Sequence, residues 1–173
     1  MPRFRDGHAR GVLRLGTRTS TPRRTLVVTV SAILSLAIAF APAARAGSGL
    51  RSKVLRLVNA TRDNHDLHTV RIDRSLSRDA MRHTRDMIAS NAIYDPSNLA
   101  RILQNEPWHD VGASVVGCAD TPSTLHNAFM HEPAHRDILL NPKLRRIGIG
   151  VIEVDSVNAC GRHWLWATEL FYG

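Results

Sequence analysis

Two runs near the end of the chain constrain its fold more than any other feature. The segments "IGIGVIEV" at 147–154 and "HWLWATELF" at 163–171 are rich in β-branched and aromatic residues, which favour extended strands. They follow several stretches whose apolar residues recur at helical spacing and one earlier strand-like run at 108–117. Helices that precede a strand pair, without regular alternation of the two, predict an α+β fold rather than a βαβ one.

The helical stretches have recognisable boundaries. A first helix is predicted over Leu50–Asn64, and a connector follows at 63–73. Asp73 is the expected N-cap of a second helix that ends near Asn91. Its inner stripe contains Leu76, Ala80, Thr84, Met87 and Ile88. His83 lies on the same stripe, so it is either a packed core residue or a residue that faces a cavity. Further helical pieces are predicted at 99–106, 120–130 and 134–140.

The positive charge of the chain is concentrated at its beginning. The formal net charge is +8, but residues 1–46 contain eight arginines and one acidic residue, which leaves 15 basic and 14 acidic residues in 47–173. This near balance gives no electrostatic argument for a nucleic-acid partner, and none is predicted.

The same early residues have the pattern of an export signal. Basic residues up to Arg24 precede an uncharged apolar run at 25–40, and the small-residue segment "APAARAG" follows. This order predicts an export signal peptide over 1–46, cleavage after Ala46, and a secreted, extracellular domain over 47–173. The alternative is an uncleaved leader that serves as a membrane anchor, although the apolar run is shorter than the roughly 20 residues of a spanning helix.

Cysteine usage agrees with export. The chain has two cysteines, Cys118 and Cys160, and both belong to the predicted mature domain. An oxidising compartment favours a disulfide between them. The alternative is two separate thiols, and neither cysteine lies in a nucleophile motif.

Residues 131–135, "HEPAH", match the zinc-peptidase pattern H-E-x-x-H. That motif needs an unbroken helix so that both histidines face one metal. Pro133 removes a helical hydrogen bond and fits better as the first residue of a new helix. His131 and His135 are therefore expected to point in unrelated directions, and no shared metal is predicted.

With its neighbours, the motif resembles the signature of bacterial CAP-superfamily domains, which include cysteine-rich secretory, antigen-five and pathogenesis-related proteins. Within "LHNAFMHEPAHRDILLNPKLRRIGIGV", the matching residues are Phe129, Pro133, Ala134, His135, Arg136, Ile138, Leu139, Pro142, Gly148, Gly150 and Val151. Upstream, the matching residues are Asn59, Arg62, Leu67, Asp73, Leu76, Ala80 and Met87. The resemblance covers nearly all of 50–172. It implies a CAP-type (SCP-like) α-β-α sandwich around a central, mostly antiparallel sheet.

Two departures from the family pattern bear on function. Members usually carry a His in the turn after the second helix and a Glu at the start of the first strand, and these belong to a tetrad that can hold a divalent metal. Here Pro96 and Ala113 occupy those positions. Neither side chain can bind a metal or move a proton. No metal, cofactor or catalytic residue is therefore predicted.

Five residues remain as candidates to line the groove that the resemblance implies: His135, Arg136, Glu169, His109 and His83. The structural alternative for His135 and Arg136 is a helix N-terminal pair that bonds to the loop before the sheet. Glu169, where bacterial members more often have Gln, lines the groove or is a solvated strand residue. His109 is expected near the cavity mouth, whereas His126 and His131 are expected at the surface of the preceding helix.

The first functional hypothesis is an exported, non-catalytic binding module. The resemblance implies an apolar lipid or a cell-envelope component, including a protein, as its partner. The alternative is a degenerate, metal-assisted hydrolase that acts on cell-envelope material through His135 and Glu169.

Overall fold

The structure is a computed structural model that describes the backbone of residues 43–173 and the side chains from Gly49 onward. Its elements are α1 (Ala43–Asp63), β1 (Arg71–Ile72), α2 (Arg74–Ser90), α3 (Leu99–Leu103), β2 (Gly112–Ala119), α4 (Pro122–His131), α5 (Pro133–Leu139), β3 (Arg146–Val154) and β4 (Trp164–Tyr172). The predicted signal peptide falls mainly on residues 1–42, which lie outside the described residues. Within the described part, no helix combines the length and the apolar character that crossing a membrane requires.

The four strands form one sheet in the order β1-β3-β4-β2. Strand β4 pairs antiparallel with β2 on one side and with β3 on the other, whereas β1 pairs parallel with the start of β3. The prediction of a mostly antiparallel central sheet is therefore confirmed. Strand β1 was not predicted, because its two residues lie within the connector at 63–73 and are extended through their pairing with β3.

Successive side chains of β4 point to opposite faces of the sheet, and this divides the core into two layers. Leu165, Ala167 and Phe171 pack in the cluster that contains the apolar residues of α1, α4 and α5. Trp166 and Leu170 face the other way, toward apolar residues of α2 and α3. Helices therefore cover both faces of the sheet, and the predicted α-β-α sandwich is confirmed.

Helix α2 lies unusually close to β3 because two sheet residues lack side chains. A Cβ on Gly148 would stand 2.4 Å from the carbonyl carbon of Leu76, and one on Gly150 would stand 2.4 Å from that of Ala80. Real Cβ atoms do not approach a backbone so closely, so these two positions of "IGIG" require glycine. The contact fixes the height of α2 above the sheet.

The ends of α2 agree with the prediction. Asp73 is the N-cap and accepts a hydrogen bond from the Leu76 N–H at 3.0 Å. Asn91 closes the helix in the left-handed conformation, with φ of 50°. The Asn91 side chain then accepts a bond from the Ala159 N–H, which ties the loop before β4 to this helix end.

The predicted disulfide is confirmed. Cys118 and Cys160 are bonded, with their Cα atoms 6.0 Å apart. Cys118 lies inside β2 rather than after it, and Cys160 lies in the loop that leads into β4. The bridge packs beside Trp166 and Met87 in the smallest of the apolar clusters.

Arg62 of α1 is fully buried, and its side chain bonds to the backbone of segments that follow α1 and α5. Its guanidinium donates to the carbonyl oxygens of His68, Leu139, Asn141 and Leu144, at 2.8 to 3.4 Å. The planar fork of donors can satisfy several carbonyls at once, which a point-like ammonium cannot do.

Arg62→Lys is expected to lower the free energy of unfolding by about 1–3 kcal/mol, because part of this buried bonding is lost. Denaturant titration measures the change. The matched control is Arg56→Lys, an exposed position on the same helix, which we expect to be neutral. Equal effects of the two substitutions would contradict the role assigned to Arg62.

Candidate functional site

The H-E-P-A-H segment joins two helices instead of lying in one. Helix α4 ends at His131, Glu132 is its C-cap and the N-cap of α5, and Pro133 is the first residue of α5. The interpretation of Pro133 as a helix boundary is confirmed. His131 Nδ1 lies 2.7 Å from the Asn127 carbonyl oxygen, whereas His135 Nδ1 lies 3.0 Å from Glu132 Oε2. The two histidines thus have separate partners.

His135 contacts its own helix cap and the neighbouring helix. Glu132 accepts a bond from the His135 N–H at 2.8 Å, and the His135 ring meets the Phe129 ring edge-on, with centroids 5.1 Å apart. These contacts are with Glu132 and Phe129, and a bond of the His135–Arg136 pair to the loop before the sheet stays a prediction. Arg136 is exposed beside it. Both residues lie on α5, and His135 makes the ring contact with Phe129.

Glu169 occupies the middle of the central strand. It pairs with Val115 on one side and Ile149 on the other, and it is 1% exposed. The solvated alternative was therefore wrong, and the side chain is enclosed rather than open to a groove. Its Oε2 has no hydrogen-bond partner within the described chain. Burial raises the pKa of this carboxyl to about 8, so it is mostly protonated at neutral pH.

His126 is a second buried, incompletely bonded group. The prediction that it is a surface residue was wrong, because it is 6% exposed between α4 and α1. Its Nε2 lies 2.6 Å from Thr61 Oγ1, and its Nδ1 has no partner within the described chain. Burial lowers the pKa of this imidazole, which keeps it neutral near pH 7.

The positions of the two family departures are brought together by the fold. Pro96 is buried in the loop after α2, and Ala113 is the second residue of β2. A bond of 3.0 Å from Ser114 Oγ to Asp95 Oδ1 joins the loop to the strand beside them. The structure therefore brings these two positions to the same end of β2, but the Pro96 and Ala113 side chains carry no atom that could ligate a metal.

The remaining candidates flank this end of β2. His83 is buried at 8% exposure, and its Nε2 bonds to the Tyr94 carbonyl oxygen at 2.8 Å, which agrees with a packed residue. His109 is exposed in the loop before β2, where its N–H donates to the Gly173 carbonyl oxygen at 3.1 Å. Within the described residues, no group of three or more His, Cys, Asp or Glu side chains could hold a metal ion.

The same two loops expose large apolar side chains, which the sequence analysis did not single out. Ile93 and Tyr94 are 40% and 42% exposed after α2, and Trp108 is 38% exposed before β2. The first loop is bonded to β2 through Asp95, and the second continues directly into β2. We call Ile93, Tyr94 and Trp108 the loop surface. Aromatic residues in loops on both sides of Pro96 were the available sequence signal.

Comparison with known proteins shows which family this chain belongs to. Residues 55–168 match the family model described as CAP, the cysteine-rich secretory protein family. This chain belongs to the CAP family. A stretch of 117 residues, 64% of the chain, is 27% identical to the uncharacterized protein YkwD of Bacillus subtilis (strain 168). The match covers 45% of YkwD, so this CAP-family chain spans less than half the length of that relative.

Solved structures agree on the fold of this CAP-family protein. An outer surface protein of Borrelia burgdorferi superimposes with a TM-score of 0.62 at 15% identity, over 72% of this chain and 92% of that one. An extracellular protein of Bacillus anthracis str. Ames that contains an SCP domain gives a TM-score of 0.60 at 20% identity, over 73% of this chain and 41% of that one. At such identities the likeness shows the fold alone.

Proposed function

We propose that this protein is an exported CAP-family domain that acts as a non-catalytic binding module for an apolar, lipid-type ligand. The observation that carries the proposal is the loop surface. Three large apolar side chains stand exposed on two loops at the end of β2. Large apolar side chains that stand exposed at one end of a domain are available for contact with apolar ligands, membranes or partners.

The chemistry around the loop surface favours apolar binding over catalysis. Pro96 and Ala113 stand where family members carry an imidazole and a carboxylate. Glu169 is enclosed, and no hydrogen bond joins its Oε2 to His135. A general base must reach the proton that it removes, and a metal needs converging ligands. These residues meet neither requirement, which argues against the hydrolase alternative.

Export is supported by two kinds of observation. The leader pattern of residues 1–46 and the Cys118–Cys160 disulfide both fit an oxidising compartment. Among the structural relatives, one is named an outer surface protein and another an extracellular protein. We extend that location to this chain as part of the proposal.

Lipid binding is tested by mass spectrometry of organic extracts from the purified protein and by titration with a fluorescent long-chain fatty acid. We expect Ile93→Ser/Trp108→Ser to weaken fatty-acid binding about thirtyfold, because each substitution removes roughly 1 kcal/mol of apolar contact and the two together remove about 2 kcal/mol. The matched control is Val157→Ser, in the loop before β4, where Val157 is 70% exposed.

The control variant should bind as the unmodified protein does. An absence of both co-extracted lipid and saturable fatty-acid binding would contradict the proposal. Submicromolar zinc binding by titration calorimetry, lost in His135→Ala, would instead support the hydrolase.

A further inference from the structure

A groove lined by arginines runs between α1, β1 and α2. Its volume is about 610 Å³. Five of the lining residues are arginines, namely Arg51, Arg74, Arg78, Arg82 and Arg85. None of the lining side chains in the described part of the chain is acidic. We call this feature the arginine groove, and it shares no residue with the loop surface.

The arginines of α2 form a regular row. Arg74, Arg78, Arg82 and Arg85 follow one another at intervals of four, four and three residues. One helical residue rises 1.5 Å, so the row places a guanidinium roughly every 6 Å along a length of roughly 16 Å. A single small anion reaches only one or two such groups, whereas a flexible chain with one anionic group per repeat can follow the whole row.

Much of this donor capacity is free for a ligand. The side chains of Arg74 and Arg85 make no hydrogen bond or ion pair within the described chain. Arg51 uses its Nε on the Ile149 carbonyl oxygen, 3.2 Å away, which leaves its terminal nitrogens available. Arg82 is the one member that forms an ion pair, with Asp79, among the described residues. Guanidinium groups stay charged at all relevant pH values and form paired bonds with phosphate oxygens.

Two of the lining residues, Arg51 and Ser77, argue against a peptide as the ligand of the groove. An acidic strand would gain affinity by pairing with the edge of β3. The edge groups of Ile149 are already bonded, its N–H to Ser77 Oγ at 3.2 Å and its carbonyl oxygen to Arg51. The peptide backbone would therefore find no main-chain partner at that residue.

The residues that line the arginine groove also argue against a membrane surface or a nucleic-acid base as its ligand. The apolar members Ile72 and Met81 are half-buried in the groove, so they do not project as a membrane anchor would. No aromatic residue lines the groove in the described part of the chain, so bases have no stacking platform.

We propose that the arginine groove binds a linear, base-free phosphodiester polymer along the row of α2 arginines.

The test uses the purified protein and a synthetic abasic phosphodiester oligomer with about ten phosphates, titrated at several salt concentrations from about 50 mM upward. Four phosphate contacts predict a slope of log K against log salt of about −3, because each contact on a single strand contributes about −0.7. Arg74→Gln/Arg85→Gln should weaken binding about tenfold at the lowest salt and reduce the magnitude of the slope by about 1.4. These two residues have no internal partners to lose, so the fold should be unaffected.

The matched control is Arg56→Gln/Arg162→Gln, which changes the net charge equally at two exposed positions outside the groove. It should change the affinity less than twofold. All variants are compared in the same processed form, so residues 1–46 make the same contribution wherever they are retained.

Several outcomes would overturn the proposal. One is equal weakening by the control pair, which would mean that net charge alone drives binding. A polyglutamate of the same charge that binds as tightly would point to an acidic peptide. Oligothymidylate that binds ten times more tightly than the abasic oligomer would point to bases. Binding only to vesicles of anionic phospholipid would assign the groove to a membrane. Lipid binding at the loop surface would be unaffected by any of these results.

Discussion

Glu169→Gln is expected to abolish most of the loss of stability that we predict for this protein as the pH rises from about 6.5 to 8. Burial raises the folded-state pKa of Glu169 to about 8, from a usual value near 4.5. The carboxyl is therefore ionised in the unfolded chain while it still holds its proton in the folded one. Its stabilising effect is complete below the unfolded pKa and is lost as the pH rises through about 8.

The size of this effect follows from the linkage relation. Each pH unit within the window is worth about 1.4 kcal/mol, so the wild-type protein should lose about 2 kcal/mol between pH 6.5 and 8. Over the full interval, from the unfolded pKa of 4.5 to the folded value of about 8, the loss is about 5 kcal/mol. Glutamine has a similar shape and carries no charge, so the variant should show a nearly flat profile.

Glu169 affects stability in a different pH range from the other groups whose pKa is shifted. Burial lowers the pKa of His126, so its contribution to stability changes only below about pH 6.5. Burial favours a higher pKa for Asp73, but the bonds from the Leu76 N–H and the Tyr172 hydroxyl outweigh it and lower the pKa, which matters only in acid.

Denaturant titrations of the wild type and the variant at four or five pH values measure the difference. Glu153→Gln provides the matched control, because Glu153 is an exposed carboxylate on the adjacent strand. It should leave the wild-type profile unchanged. Parallel profiles for the wild type and Glu169→Gln would show that Glu169 is already ionised in the folded protein.

Loss of the disulfide is expected to have an effect of similar size. Cys118 and Cys160 are 42 residues apart, and closing a loop of that length stabilises the fold by about 4 kcal/mol in the chain-entropy model. Cys118→Ser/Cys160→Ser should lower the melting temperature by about 10–20 °C for a domain of this size. The loop before β4, which Cys160 helps to hold, should become the first region to exchange its amide hydrogens.

Reduction provides an independent comparison. A reductant should lower the melting temperature of the wild type to that of the double variant and leave the variant unchanged. Equal melting temperatures of the wild type with and without reductant would contradict a structural role for the bridge. A large effect would mean that the domain reaches its full stability only in an oxidising compartment, as the export proposal requires.

Local signals in the sequence determined most of the secondary structure. Asp73 and Asn91 bound α2 through contacts with their own helix ends, and Pro122 and Pro133 mark first turns that need no N–H. Such caps act within a few residues, so they are visible without a tertiary structure. The family motif added the order of layers, and the pairing of the two cysteines followed from their number and compartment.

The tertiary structure decided which polar groups are enclosed and which surfaces are left free. Glu169 is buried because β4 lies between β2 and β3 with helices on both faces, and no property of the local sequence reports that position. His126 is buried because α4 packs against α1, whereas its spacing along the helix fits either face. Strand β1 exists only through its pairing with β3. Burial and pairing depend on contacts between residues far apart in the chain, so local spacing determines the elements and only their packing determines the site.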